Sequence, residues 1–155
     1  EFTPDWGAAV AAIGDNAARL ALYHRLRQAG FETPAIVHPS AIISRNAQIA
    51  AGVVVAPGAV INVGVRVGEA SIVNTGARID HDCVIGAGSH IAPGATLSGG
   101  VTLGERVWLG TGSAVRQGVA IGDDAFVGVG AAVVSDLVGA RTYVGVPARL
   151  LPKQA

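Results

Sequence analysis

The chain contains no methionine and a single cysteine, and aromatic residues make up only 5% of its 155 residues. Without a methionine Glu1 is not a translational start, so the chain is expected to be processed or trimmed from something longer. The lone thiol, Cys83, cannot close an internal disulfide, which fits a reducing compartment. Charge is scarce as well. Charged residues amount to 14%, basic and acidic side chains number 11 each, and the formal net charge is zero. With no basic cluster, neither nucleic acid nor an anionic membrane surface is expected as a partner. No apolar run approaches the ~20 residues that span a bilayer, and no charged-then-apolar leader opens the chain. These absences leave a soluble, cytoplasmic protein whose partner is a small molecule or another protein chain.

Glycine, by contrast, is abundant, with 22 residues against a usual share of ~7%. It follows a period. Every sixth residue from Val37 through Ile61, Ile85 and Leu109 to Val133 is Val, Ile or Leu, and four places after each stands a residue that is nearly always small, such as Ala59, Ser71, Cys83 or Ala95. A helix has period ~3.6 and a strand period 2, so a period of six calls for short strands whose inward residues recur after each corner. Three hexads then close one triangular coil, and stacked coils form parallel sheets. Gly52, Gly58, Gly64, Gly76, Gly88, Gly94 and Gly112 hold the fourth place of their hexads, where a tight corner favours residues that tolerate φ > 0. The repeat predicts an all-β solenoid over residues 36–138.

The ends break this rule. Residues 1–35 predict a partial α/β unit. In it, Ala8–Ile13 reads as a short buried strand and Gly14-Asp15-Asn16 as a turn with an N-cap. A helix follows from about Ala17 to Ala29, with Leu22 and Leu26 on its buried side and Gly30 as its stop. Residues 139–155, with Gly145-Val146-Pro147-Ala148, predict a C-terminal cap that closes the open edge.

Hexad position sorts the residues able to do chemistry. His81 takes the third place and His90 the sixth, both facing outward, while Cys83 takes the inward small place and is not expected to be a nucleophile. A lone His-Asp pair such as His81-Asp82 reads most simply as an exposed ring beside a corner carboxylate. On a flat prism face, however, a groove between neighbouring copies would turn the pair into a general base oriented by an acid. A zinc enzyme would need three converging histidines, and only His81 and His90 are suitably placed, so no metal is expected. A non-enzymatic scaffold, of the ice-binding or assembly kind, would show a regular outward array that this sequence lacks.

The stretch Asn74-Thr75 … His81-Asp82-Cys83 … His90, together with Ala12 to Asn16, His38-Pro39-Ser40 and Gly145 to Ala148, resembles the sialic acid O-acetyltransferase and bacillosamine/perosamine N-acetyltransferase family of sugar-modifying enzymes. The resemblance spans nearly the whole chain. It implies a left-handed parallel β-helix, preceded by a βα unit that is the remnant of a Rossmann-like N-terminal domain. It also implies a homotrimer with sites between subunits, and transfer of an acetyl group from acetyl-CoA to the amine of a nucleotide-linked amino sugar, with a sugar hydroxyl as the alternative acceptor. By the same resemblance His81 is the general base and Asp82 its helper. His90, Gly99, Thr111 and Val129 meet acetyl-CoA, and Asn74, Gly14, Asp15 and Asn16 meet the acceptor. Family members open with a strand, a glycine-rich turn bearing a histidine, and a helix. This chain lacks that turn, and only the second βα unit remains.

Overall fold

The computed structural model describes residues 7–152, so the outer limits of the two expected end units, residues 1–6 and 153–155, lie outside the described residues. The chain winds through very short strands, almost all of two residues, into three sheets. The first face has eight strands and runs through Ile36–Val37, Val54–Val55, Ile72–Val73, His90–Ile91, Trp108–Leu109 and Phe126–Val127. The second face has six strands, among them Arg78–Ile79 and Thr96–Leu97, and the third has five, among them Val84–Ile85. Ile36 pairs in parallel with Val54, and Val54 with Ile72, so each coil consumes three hexads, as the period predicts.

The two recurrent series fill the prism. Val55, Ile61, Val73, Ile79, Ile91, Leu97 and Leu109 are at most 1% exposed, and the small series buries Ala59, Ala77, Cys83 and Ala95 beside them. Two of the buried serines, Ser71 and Ser89, find a partner at a corner, whereas the buried Ser113 Oγ has none among the described residues. Ser71 donates to the Gly86 carbonyl at 3.1 Å and Ser89 to the Gly104 carbonyl at 3.0 Å, which offsets the cost of a buried hydroxyl. The first coil has no coil beneath it, and Val37 is accordingly 44% exposed although its place is an inward one.

Both ends differ from expectation. Ala8–Ile13 is not a strand: it forms one bridge, Ala8 to Glu32, and only Ala11 in it is buried. A lone segment without neighbouring strands has nothing to extend the pairing. Helix α1 spans Asn16–Gln28, capped by Asp15, whose carboxylate accepts from the Ala18 N–H at 2.8 Å. Its buried stripe is Asn16, Arg19, Leu20, Tyr23 and Leu26; Leu22 is half-buried, displaced from the stripe by a tyrosine and an arginine that hydropathy alone would send outward. Gly30, at φ 88°, stops the helix as expected. At the far end Thr142–Val144 still adds a parallel strand to the first face, beyond the expected boundary at 138, and a hairpin to Arg149–Leu150 then turns the edge antiparallel.

Leu97→Ala should cost about 2–5 kcal/mol in denaturant unfolding, because a filled prism cannot collapse onto the void. Ile42→Ala, at a residue 67% exposed on the first coil, should change stability by less than about 0.5 kcal/mol.

Candidate active site

Stacking with an exact repeat places every corner above another, so a side chain larger than its column allows needs space made in an adjacent coil. His81 and Asp82 stand at the corner joining the second and third faces. Gly64 and Gly100 flank Asp82 in that column with positive φ, and Asp82 itself adopts φ 59°. A left-handed residue other than glycine costs on the order of 1 kcal/mol, least for Asn and Asp. That backbone turns the carboxylate back, so that its Oδ2 lies 2.9 Å from His81 Nδ1. Glycines clear the room: a methyl at Gly64 would strike Asp82 Oδ1, and one at Gly99 would stand 2.5 Å from His81 Cε1 and Nε2.

The electrostatics of this corner favour imidazolium. The hydrogen bond that His81 Nδ1–H donates to Asp82 raises the His81 pKa above 6.5, with the negative charge of Asp80 adding to it. Asp80 accepts from the His81 backbone N–H at 2.8 Å and from Asn62 Nδ2 at 2.9 Å, and both bonds hold its own pKa down. With Nδ1–H directed at Asp82, Nε2 is the nitrogen left to exchange a proton, and the ring is half-exposed. Cys83, next in sequence, is fully buried, donates to the Ser98 carbonyl at 3.2 Å, and has its thiol pKa raised by burial. It is no nucleophile.

Asn74 and His90 lie elsewhere, on the outer side of the first face. His90 points away from the prism as expected but is only 7% exposed, because the face itself is apolar. His90 packs on Trp108 at 4.2 Å between ring centroids, and Trp108 stacks on Phe126 at 5.7 Å and 9°. Thr75 fixes the amide orientation of Asn74 by donating its N–H to Oδ1 at 2.7 Å, so Asn74 Nδ2 donates to His90 Nε2 at 3.0 Å. The proton of His90 therefore sits on Nδ1, a buried atom with no acceptor among the described residues. Burial, reinforced by the positive charge of Arg19, lowers the His90 pKa to about 4, and the ring is neutral at ordinary pH.

The remaining sequence-predicted residues divide. Thr111 and Val129 are exposed at the corner joining the first and second faces, on adjacent coils linked by the bond from the Gly130 N–H to the Thr111 carbonyl. Gly14 and Asp15 are exposed at the start of α1. Asp15 borders a groove of about 310 Å³ that is also lined by Trp108, Phe126 and Arg106. Asn16 borders the same groove, although its side chain is buried, donates to the carbonyls of Arg106 and Val107, and accepts from Arg19. Its side-chain bonds all go to the protein, so any contact with the acceptor would come from the part of Asn16 that borders the groove. Sequence reasoning also passed over Arg19, Thr75, Asp80 and Trp108. Of these only Asp80 carried a signal, as the second acid flanking His81.

A prism corner faces away from the sheet opposite it, so His81 and the Asn74–His90 pair are not brought together within one chain. Gly99 shares the His81 corner, whereas Thr111 and Val129 share the side of Asn74.

Residues 64–99 match the family model described as bacterial transferase hexapeptide, and residues 100–135 match that of the hexapeptide repeat of succinyl-transferase. No curated protein sequence matches the chain. Among solved structures the chain is similar to PerB from Caulobacter crescentus in complex with CoA and GDP-perosamine, with 42% identity over 96% of this chain and 72% of that one and a TM-score of 0.95. An alanine-for-histidine variant of the GDP-perosamine N-acetyl transferase from that organism gives 41%, 97%, 71% and 0.95. The acetyltransferase domain of PglB from Neisseria gonorrhoeae in complex with acetyl coenzyme A gives 37%, 97%, 73% and 0.94.

Gly99→Ala should leave the melting temperature nearly unchanged yet push the imidazole from its place. Histidine-resolved NMR should then show the His81 titration, above pH 6.5 in the parent chain, moving down as the bond to Asp82 is lost. Asp82→Asn should move it the same way without the steric cause.

Proposed function

The chain belongs to the hexapeptide-repeat sugar acetyltransferases that include the perosamine N-acetyltransferases, and on that premise we propose that it transfers the acetyl group of acetyl-CoA to the amine of a nucleotide-linked amino sugar. The observation that carries this reading is the His81–Asp82 pair at a corner cleared by Gly99, with Nε2 open. Such a pair takes up the proton that an amine must lose as it attacks a thioester. His81 Nε2 removes that proton while the nitrogen bonds to the acetyl carbonyl carbon. Asp82 stabilises the imidazolium, and collapse of the tetrahedral adduct breaks the C–S bond. The proton then passes from His81 to the departing thiolate, giving the N-acetyl sugar and CoA without an acyl-enzyme. The Gly99 backbone N–H, engaged by no acceptor among the described residues, belongs to the residue whose Cβ position abuts the His81 ring, and we assign it to the oxyanion, a contribution of about 2.7–4 kcal/mol in comparable sites.

We assign the acetyl-CoA side of the site to His90, Thr111 and Val129 and the acceptor side to Asn74, Gly14 and Asp15. Because His81 stands opposite the first face, this assignment requires two copies. The C₃ arrangement is the simplest closed one, with the second–third corner of one copy set against the first–second corner of the next. The bare first face supports it: its outward column of Ile36, Val54, Ile72, Trp108 and Phe126 is apolar and partly exposed. Among the described residues no helix is long and apolar enough to cross a membrane, and we place the reaction in the cytoplasm, where acetyl-CoA is made.

His81→Ala should abolish most turnover with GDP-perosamine or a related nucleotide amino sugar, while calorimetric binding of CoA persists. Turnover retained in that variant would remove His81 from the mechanism.

A mixing experiment tests the division between copies. His81→Ala and Asn74→Ala should each be nearly inactive alone. Refolded together, they should recover about a quarter of parent activity, one-half for each required residue on random mixing in a closed ring. No recovery would mean that the two residues act from one chain.

A further inference from the structure

Arg19 is 1% exposed, and the mechanism makes no use of it. Among the described residues no carboxylate forms an ion pair with it. Nε donates to the Ala70 carbonyl at 2.7 Å, Nη1 to Ile13 and Gly14 at 3.0 Å each, and Nη2 to Gly88 at 2.7 Å, to Ser89 at 3.4 Å and to Asn16 Oδ1 at 2.7 Å. The reason such a group is tolerated lies in the corner beneath α1. The carbonyls of Ala70, Gly88 and Arg106 point out of three successive coils and take no part in the backbone ladder. Once the helix covers them they lose water, and an unpaired buried carbonyl is costly. A planar fork of five N–H donors, extended by the amide of Asn16, satisfies all three; a lysine could not.

The place of this clamp matters more than its strength. Ser89 immediately precedes His90. Val107, whose carbonyl accepts from Asn16 Nδ2 at 3.2 Å, also accepts from the His90 N–H at 2.8 Å. The backbone of His90 is thus held from both sides, by Arg19 through Gly88 and Ser89 and by Asn16 through Val107. The same guanidinium holds the two carbonyls just before Asp15. We propose that Arg19 is a positioning residue for acyl transfer, tying the acceptor-side segment at Gly14–Asp15 to the backbone that carries His90, so that the two halves of the first-face site keep one spacing. This rests on the acetyltransferase reading above. The charged group that faces His90 from α1 is Arg19, and the strands on either side of it present Ile72 and Trp108. Removing the cation therefore removes the one charge that opposes protonation of that ring.

Two variants and two readouts test the proposal in the full chain. Arg19→Gln should let the His90 titration rise from about 4 while burial, the larger cause, still holds it below the ordinary value, seen by histidine-resolved NMR without turnover. Arg19→Lys, which keeps the charge but not the fork, should lower kcat on the order of 10²-fold with a smaller change in KM for acetyl-CoA, the signature of a misplaced group and not of lost binding. Should neither variant fold, Asn16→Ala removes the bonds to the Arg106 and Val107 carbonyls and one acceptor of the Arg19 fork while keeping the cation; it should lower kcat as Arg19→Lys does, and an unchanged kcat would overturn the proposal. A folded Arg19 variant with a lower melting temperature but parent kcat and parent His90 titration would reduce Arg19 to a structural clamp and overturn the proposal. If the parent chain transfers no acetyl group, the functional reading fails by itself, and the His90 titration still decides whether Arg19 controls that ring.

Discussion

Everything in this molecule depends on parallel stacking in strict register. Because Ile36 pairs with Val54 and Val54 with Ile72 without slippage, each side chain is set directly above and below its counterparts in adjacent coils. Inward, the constraint produces columns of Val, Ile and Leu beside columns of small residues. At the corners it produces columns in which a Cβ collides with the backbone of the next coil: a methyl at Gly110 would lie 2.6 Å from the Gly128 carbonyl carbon. A column that admits glycine at one level can admit a functional side chain at the next. The His81–Asp82 corner is built in this way, with Gly64 and Gly99 making room for the carboxylate and the imidazole. The scaffold imposes the spacing, and chemistry enters where the spacing is broken by substitution and not by insertion.

The same constraint explains what could be read in advance. Period six fixes which residues face inward, so the burial of Cys83 and the outward direction of His81 and His90 were legible from position alone. The hand of the coil was not, since periodicity carries no hand; there the expectation rested on resemblance. Outside the repeat, pattern reading weakened. Leu22 looked buried and Arg19 drew no reading, yet α1 lies over a corner whose carbonyls need donors, and that tertiary demand outranks hydropathy. The hydrogen bonds of Asn16 to the Arg106 and Val107 carbonyls were hidden for want of the same knowledge. The burial of His90 was equally hidden, because it comes from Trp108 and Asn74 on other coils, and a sixfold period says where a residue points but not what covers it.

The triangular section sets the His81 corner opposite the first face that carries Asn74 and His90, and the groove that Asp15 borders is not lined by His81. On the proposed reading the two halves join only where copies meet, which would make assembly part of catalysis. The buried Nδ1–H of His90, without an acceptor among the described residues, is the sort of unfinished bond expected where a ligand or a neighbouring copy completes the surface.

The two histidines show how one fold sets one residue type to two tasks. His81 stands in water between two carboxylates, and its pKa rises. His90 lies under aromatic rings near a buried guanidinium, and its pKa falls to about 4. A ring whose pKa is raised takes up a proton readily, whereas a ring held neutral keeps one N–H to donate and one nitrogen to accept. Two imidazoles in similar surroundings would compete for one proton across the working pH range. Here opposite environments separate their titrations: a left-handed corner turns Asp82 toward His81, while burial on the first face, with the positive charge of Arg19 adding to it, keeps His90 neutral.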